Sequence, residues 1–149
     1  MSTALHLAKP TDFERVDALV SQFHQEFGLD ISDSHRAGAI QPLLDGVPHG
    51  MIYLLGLPRA PVGYIVVSLG WSIELGGLDG FVDEFFVRPS VRGRGIATEV
   101  LHELSHALGA AGVKALHLEV DAEADNAQRL YKRAGFEPRE RYSLMSRYL

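Results

Sequence analysis

The sequence predicts a mixed α/β (α+β) fold in which a mostly antiparallel central sheet is flanked by helices. Along the chain, segments whose apolar residues have the spacing of strands alternate with segments whose apolar residues have the spacing of helices. Two apolar runs, 51–55 and 62–69, are joined by a Pro-Arg-Ala-Pro turn, which is typical of an antiparallel hairpin. A strand–helix–strand succession follows, so the expected element order is β-α-α-β-β-β-α-β-α-β.

The N-terminal half supplies a strand, two helices and the hairpin. Residues 4–8 alternate loosely and predict the first strand. Pro10-Thr11-Asp12 opens a helix that ends at Gly28, and residues 33–44 predict a second, weaker helix. The apolar positions of the first helix follow helical spacing and are Val16, Leu19, Val20, Phe23 and Phe27.

The C-terminal half begins with a glycine-containing loop or strand extension at 71–80. Leu116, Leu118 and Val120 alternate with polar residues, as in a half-buried strand. Gly135 stops the last helix. The expected elements are a central strand at 81–87, a helix at 96–110, a strand at 116–120, a short helix at 125–133 and a closing strand at 141–149.

Length and composition exclude several classes of protein. The 149 residues suit one domain, 1–149, which can bury a sizeable core. Acidic residues outnumber basic ones 19 to 14, so we expect no nucleic-acid partner, because phosphate binding draws on clustered Lys and Arg. Cysteine is absent, which excludes disulfides, thiol nucleophiles and Cys-ligated metals.

The distribution of apolar residues indicates a cytoplasmic protein. The first residues contain no basic stretch leading into an apolar core, so we expect no signal peptide. The most apolar region, 51–73, is interrupted by Pro58 and Pro61. The resulting runs are too short to cross a bilayer, which takes about 20 residues, and no membrane partner is expected.

The sequence Arg92-Gly93-Arg94-Gly95-Ile96-Ala97 lies between a predicted strand and a predicted helix. Glycines let the backbone approach an anion, and the N–H groups at a helix N-terminus bind phosphate. Together with Arg88, the loop has the charges of a pyrophosphate site. A P-loop would need Lys-Ser/Thr after the second glycine, and a dinucleotide-binding turn would need a third glycine where Thr98 stands. A plain glycine turn with solvated arginines is the alternative.

This segment resembles the GNAT superfamily of acetyl-CoA-dependent N-acetyltransferases. Arg92, Gly95 and Ala97 match its Arg/Gln-x-x-Gly-x-Gly/Ala motif. The run 82–89 is similar to the acidic and apolar central strand of the family, and 127–136 is similar to its Ala-x-x-Leu-Tyr-x-x-x-Gly-Phe element. The match covers residues 78–137 and implies a GNAT-like sheet, acetyl-CoA as cosubstrate and no metal.

The resemblance also implies which residues bind the cosubstrate. The backbone N–H groups of residues 93–97 would hold the pyrophosphate. The strand end at Phe85, Phe86 and Val87 would diverge from the 116–120 strand and pair with the pantetheine arm. The family often has an asparagine seven residues before the tyrosine, where this chain has Ala124; Asn126 is the candidate to replace it.

Acetyl transfer to an amine needs a base for the ammonium and an acid for the departing thiolate. Asp83 and Glu84 are the candidate bases, and strand alternation places Asp83 with Phe81 and Phe85 but Glu84 with Val82 and Phe86. The resemblance to polyamine-acetylating members favours Asp83. Tyr131 is the candidate acid, because a phenol stays protonated at neutral pH. The alternatives are a water relay or solvated strand acids in place of the base, and a packed aromatic ring in place of the acid.

His102-Glu103-Leu104-Ser105-His106 matches the zinc-peptidase motif His-Glu-x-x-His. However, we expect both histidines on the polar side of the helix, opposite its apolar stripe of Ile96, Val100, Leu101, Leu104 and Leu108. A zinc peptidase is therefore a remote alternative. An acetyl-CoA sensor without turnover is another.

The expected substrate is a primary amine of a small molecule or a peptide, and a homodimer is the expected assembly. In the family the acceptor lies between the N-terminal helices and the loop before the central strand, here 23–44 and 71–79. An acidic and aromatic cleft there would suit a cationic amine. The candidate acids are Glu26, Asp30, Asp33, Glu74 and Asp79, and the candidate aromatic walls are Phe27, Tyr53 and Trp71.

Overall fold

The structure is a computed structural model that describes residues 3–149. Within these residues the strands are β1 (Leu5–Leu7), β2 (Gly50–Leu57), β3 (Ala60–Ser72), β4 (Gly77–Val87) and β5 (Ala115–His117). The α-helices are α1 (Phe13–Glu26), α2 (Asp33–Leu44), α3 (Ile96–Ala110) and α4 (Asp125–Arg133). Across this span, no helix is both long and apolar enough to cross a membrane.

The sheet has the order β1-β2-β3-β4-β5, so every strand lies beside its neighbour in sequence. The first four strands pair in antiparallel fashion. β5 is parallel to β4, because α3 carries the chain back along the sheet between them. This confirms the mixed fold with a mostly antiparallel sheet.

Two apolar cores cover the two faces of the sheet. One contains Val16 and Leu19 of α1 together with Tyr64 and Phe86. The other contains the buried stripe of α3, including Leu101, and Phe85 packs against this core. The helices therefore lie on both sides of β4, which is the strand that carries most of the candidate site.

The predicted helix limits at 33–44, 96–110 and 125–133 coincide with α2, α3 and α4. Local capping explains part of this agreement: the Ser32 side chain accepts a hydrogen bond from the backbone N–H of His35. The hairpin strands are longer than predicted. β3 runs to Ser72 and β4 starts at Gly77, so of the two alternatives for 71–80, loop or strand extension, most of the segment is strand extension.

The closing strand expected at 141–149 does not form. No strand of residues 3–149 pairs with this segment, and its apolar side chains are exposed. The strand expected at 116–120 is also shorter, since β5 ends at His117. A strand gains its backbone hydrogen bonds from a neighbour, so an alternating segment without one stays irregular.

Candidate functional site

The pairing between β4 and β5 stops halfway along β4. Their register joins Asp79 to Ala115 and Phe81 to His117, and no pair follows within the described residues. From Val82 to Val87 the edge of β4 is therefore free of β5. The backbone N–H and C=O groups that point to this edge are available to an extended ligand, although the carbonyl oxygen of Val87 already accepts a hydrogen bond from Arg92.

A β-bulge lies at the point of divergence. Val66 is opposite Glu84 but Val67 is opposite Val82, so Asp83 is the extra residue of β4. Because of the bulge, the side chains do not follow the strict alternation predicted from the sequence. Glu84 lies on the α1 side with Phe86, as expected, but Val82 lies on the α3 side and belongs to the core there. Simple alternation fails because a bulge changes the face of the residues beyond it.

A cavity of about 370 Å³ lies between the free edge of β4, the start of α3 and one side of α4. Eight of the residues proposed from the sequence line it: Phe85, Val87, Arg92, Gly93, Gly95, Ile96, Ala97 and Tyr131. The glycine loop, the strand end and the candidate acid are thus brought to one place, although 46 residues separate Phe85 from Tyr131 in the sequence.

The glycine loop has the backbone that its sequence suggests. Gly93 and Gly95 both have a φ of +78°, a conformation that residues with a Cβ rarely adopt. A Cβ built on either would meet no atom within 4 Å, so the loop surface is open. Gly95 is also the N-cap of α3, and the first N–H groups of the helix have no intrahelical acceptor. The residues present therefore fit a bound phosphate group.

Three proposed cosubstrate-binding residues do not line this cavity. Phe86 is 3% exposed and packs in the core on the α1 side. Arg94 is exposed on the loop. Asn126 is exposed as well, and its side-chain oxygen accepts a hydrogen bond from Arg129.

Other residues that line the cavity were not predicted as site residues from the sequence; they are Val91, Thr98, Ala127, Leu130 and Arg133. Ala127 and Leu130 belong to the same motif as Tyr131. Helical spacing places positions 127, 130 and 131 on one face of α4, and this signal could have identified them. Thr98 lies in the first turn of α3, beside the glycine loop.

Arg92 connects the glycine loop to α1. Its side chain donates one hydrogen bond to the carbonyl oxygen of Val87 at 2.8 Å and another to Glu26 at 2.7 Å. The guanidinium also lies 5.6 Å from the centre of the Phe86 ring. The hydrogen bond from Arg92 holds the pKa of Glu26 below its usual range. The end of α1 and the glycine loop are therefore fixed to each other.

Tyr131 stands between two cavities, since it also lines a larger one beside β5. Its ring packs edge-on against Phe136, with the ring centres 6.0 Å apart. Burial raises the pKa of the Tyr131 phenol above its ordinary value of 10.0. The hydroxyl therefore keeps its proton at neutral pH, as a general acid requires.

The two candidate bases have different surroundings. Glu84 accepts a hydrogen bond from the Tyr64 hydroxyl at 2.9 Å, and its other oxygen lies 2.8 Å from Nε2 of His24. Asp83 is exposed at the bulge, yet partial burial raises its pKa above 3.8. The negative charges of Glu84 and Glu119 raise it further, and His24 opposes them.

The His-Glu-x-x-His segment lies on α3 as the periodicity predicts. His102 and His106 are exposed, and Val100, Leu101, Leu104 and Leu108 are buried on the opposite side. Among residues 3–149, no group of three or more His, Asp or Glu side chains is arranged to hold a metal ion. This arrangement matches the solvated helix face expected from the sequence.

Glu26 and Asp79, two of the acids expected in the acceptor cleft, lie at opposite ends of β4. Glu26 is bound to Arg92 just after the end of β4, whereas Asp79 lies near the start of that strand, 3.5 Å from His117. Positions 79 and 87 are eight residues apart along the strand, which corresponds to a distance of about 26 Å. Asp33 is paired with Arg36, so two of the expected acids form ion pairs with arginines.

Comparison with known proteins gives one family match and several related structures. The model of the "Acetyltransferase (GNAT) family" matches residues 15–136. An uncharacterized N-acetyltransferase of Methanocaldococcus jannaschii is 32% identical over 81 residues, which are 54% of this chain and 36% of that protein. This chain therefore aligns with about a third of the curated relative.

Solved structures share the fold over almost the whole chain. An integron cassette protein from the mobile metagenome of Cole Harbour Salt Marsh superposes with a TM-score of 0.85 and 36% identity, covering 97% of this chain and 90% of its own. The aminoglycoside N-acetyltransferase AAC(6')-Iy in complex with CoA superposes with a TM-score of 0.80, covering 99% and 95%. At 17% identity, this second match shows the fold alone.

Proposed function

The chain belongs to the GNAT acetyltransferase family, and from this premise we propose that it transfers an acetyl group from acetyl-CoA to a primary amine of a small molecule or peptide. One observation carries the proposal: the 370 Å³ cavity joins an open strand edge, a glycine-rich helix start and Tyr131. Residues 1–149 would act as one cytoplasmic acetyltransferase domain that uses no metal.

The start of α3 would hold the pyrophosphate of acetyl-CoA. Gly93 and Gly95 leave open space above the loop, and the helix dipole favours an anion there. Arg92 contributes positive charge, although Glu26 partly neutralises it. The AAC(6')-Iy structure of the same fold contains CoA, which supports this assignment.

The free edge of β4 would bind the pantetheine arm. Phe85 and Val87 line the cavity with their side chains, and their backbone groups have no partner on β5. Phe86 is left out of this proposal, because its side chain is buried on the α1 face and its carbonyl oxygen points to β3 beside Gly63. Hydrogen bonds of this kind position an extended ligand as an added strand does.

Acetyl-CoA supplies the acetyl group as a thioester. The incoming amine must lose a proton before its lone pair can form the amide bond, and the sulfur leaving the acetyl carbon must gain one. We assign the first proton transfer to Asp83, because it lies at the bulge beside the open edge and its raised pKa makes it a better proton acceptor. Tyr131 would donate the second proton.

Glu84 would position the site rather than accept the proton. Both of its oxygens are engaged, one by Tyr64 and one by His24. These bonds fix the strand next to the bulge. They also leave Asp83 as the carboxylate that an amine can reach, which agrees with the preference from the family resemblance.

The decisive experiment measures binding and turnover separately. Acetyl-CoA binding is measured by calorimetry, and thiol release is then followed with a panel of small amines and peptides, the acetylated product being identified by mass. Binding with turnover supports the proposal. Binding without turnover of any amine would identify a sensor, and zinc-dependent peptide cleavage without acetyl-CoA binding would identify a peptidase.

A further inference from the structure

The Arg92 side chain lies against the end of the free edge of β4. Its Nε atom donates a hydrogen bond to the carbonyl oxygen of Val87 at 2.8 Å. The carbonyl oxygen of Phe86 points to β3 beside Gly63, and successive carbonyl groups of a strand point to opposite edges. The Val87 carbonyl therefore points to the free edge. It is the last acceptor of β4 on that edge, and Arg92 already occupies it.

Glu26, the last residue of α1, holds the Arg92 guanidinium in this place. The Nη2 atom donates to the Glu26 carboxylate at 2.7 Å, so both donors on the Nε–Nη2 edge of the guanidinium plane are engaged. The Phe86 ring lies on the third side, with its centre 5.6 Å away. Hydrogen bonds between two charged groups are shorter and stronger than neutral ones. These contacts fix a side chain that is still 44% exposed.

The end of α1 is itself attached to the sheet one turn before Glu26. The side-chain oxygen of Gln22 accepts a hydrogen bond from Nη1 of Arg88 at 3.4 Å. Nε of Arg88 donates to the carbonyl oxygen of Pro61 in β3 at 3.0 Å. Gln22 and Glu26 are four positions apart and so lie on one face of the helix. Arg88 thus faces β3, whereas Arg92 faces the free edge, and Glu26 meets Arg92 from a helix end that is fixed.

An extended ligand on the free edge would compete with Arg92. Such a ligand pairs with a strand through N–H groups that donate to the carbonyl oxygens of the edge. The Nε atom of Arg92 is 2.8 Å from the Val87 oxygen, which is the distance at which the N–H nitrogen of an added strand would lie. The ligand can therefore reach this carbonyl only after the Arg92 side chain has moved.

We propose that Glu26 is a positioning residue that holds Arg92 across the end of the free edge, so that the pantetheine arm must displace the Arg92 side chain to bind. The inference rests on the proposed function, because it needs a cosubstrate whose arm lies along β4. Arg92 lines the 370 Å³ cavity, so its guanidinium stays close to the proposed phosphate site after displacement. Glu26 therefore lowers the affinity for the arm, and its removal should raise that affinity.

Pantetheine, the uncharged arm without the phosphate groups, tests this displacement without the effect of net charge on anion binding. Glu26→Ala should lower its dissociation constant, measured by NMR titration, by about two- to fivefold, the range expected for a partly exposed ion pair. Glu14→Ala is the control, because it makes the same change at an exposed position in the first turn of α1, about 18 Å along the helix. An unchanged affinity in Glu26→Ala, or an equal gain in Glu14→Ala, would overturn the proposal.

A double-mutant cycle tests whether Glu26 acts through Arg92. Arg92→Ala should raise the affinity for pantetheine about as much as Glu26→Ala does, and the double variant should gain nothing more, because one contact is removed in each case. Additive gains would contradict the proposal. Circular dichroism verifies that each variant is folded.

Calorimetry with CoA separates this inference from the proposed function. If CoA binds the wild-type chain but neither variant gains affinity for pantetheine, the role assigned to Glu26 is wrong and the cosubstrate assignment stands. If CoA binds none of the chains, the proposed function is wrong, and the role of Glu26 is overturned with it.

Discussion

The Nε2 atom of His24 lies 2.8 Å from Oε2 of Glu84, so α1 is bonded to β4 one residue beyond the bulge. His24 is 7% exposed, and its Nδ1 atom is buried without a hydrogen-bond partner among residues 3–149. Since an ionised carboxylate only accepts hydrogen bonds, Nε2 is the donor in this bond. This bond keeps Glu84 on the helical side of the strand.

Replacing His24 should show how much this bond stabilises the fold. We expect His24→Leu to lower the free energy of unfolding by about 1–3 kcal/mol, because a partly desolvated carboxylate oxygen loses its donor. His24→Gln can place an amide N–H near the position of Nε2 and should lose less. Urea unfolding measures both. Equal losses would mean that packing, not the hydrogen bond, holds α1 at this point.

Gly95→Asp should weaken acetyl-CoA binding at least about tenfold. The substitution puts a negative charge beside the proposed pyrophosphate site, where two like charges about 4 Å apart repel by about 1–4 kcal/mol. Calorimetry on the folded variant measures the change.

Gly112→Asp provides the control for this prediction. Gly112 also has a positive φ, +98°, and open space around its Cβ position, but it lies at the other end of α3. Both variants therefore carry similar backbone strain and the same added charge. If Gly112→Asp weakens binding as much as Gly95→Asp does, the effect comes from strain or net charge and the glycine loop is not the phosphate site.

The helices were predictable because their signals are local. Ser32 caps α2 through its own side chain, and the apolar spacing of α3 places Leu101 and Leu104 inside and His102 outside. The glycine loop was predictable for the same reason, since Gly95 immediately precedes α3. Each of these features depends on residues within a few positions of one another.

The features that the sequence left unpredicted depend on pairing between distant segments. The bulge at Asp83 becomes visible only when Val66 and Val67 are placed opposite β4. The position of Glu26 depends on Arg92, 66 residues later. The segment 141–149 has the pattern of a strand, but the pattern does not say whether a neighbouring strand is present.

His106→Ala should leave acetyl transfer within about a few-fold of wild type. His106 is exposed on α3, and replacing a solvated side chain usually changes stability by less than about 0.5 kcal/mol. Turnover with the best amine and the zinc content of the protein are measured together. A joint loss of activity and stoichiometric zinc would show that the His-Glu-x-x-His segment is a metal site.

Tyr131→Phe should lower the rate of acetyl transfer by about 10²–10³, which lies within the usual contribution of a general acid. The ring and its packing on Phe136 are retained, so acetyl-CoA affinity should change little. Because burial raises the pKa of Tyr131 above 10.0, the wild-type rate should not decline through deprotonation of this group below that pH. A variant with an unchanged rate would remove Tyr131 from the chemistry.

Asp83→Asn should remove the low-pH limb of the pH–rate profile. A base works in its deprotonated form, so the wild-type rate falls as the pH drops through the pKa of Asp83, which lies above 3.8. A raised carboxyl pKa also means that the folded state binds the proton more tightly than the unfolded state does. Ionised Asp83 therefore destabilises the fold as the pH rises, and Asp83→Asn should have an equal or higher thermal midpoint at neutral pH.

Glu84→Gln is the matched comparison, because it also replaces a carboxylate with the corresponding amide, at the neighbouring position. It should lower stability, since an amide replaces the oxygen that accepts from His24, yet it should keep the low-pH limb. The two roles are separated if Asp83→Asn loses catalysis while its stability is unchanged or higher, and if Glu84→Gln loses stability while it keeps the low-pH limb of the rate profile. The reverse result would make Glu84 the base, with the amine approaching from the α1 side of β4.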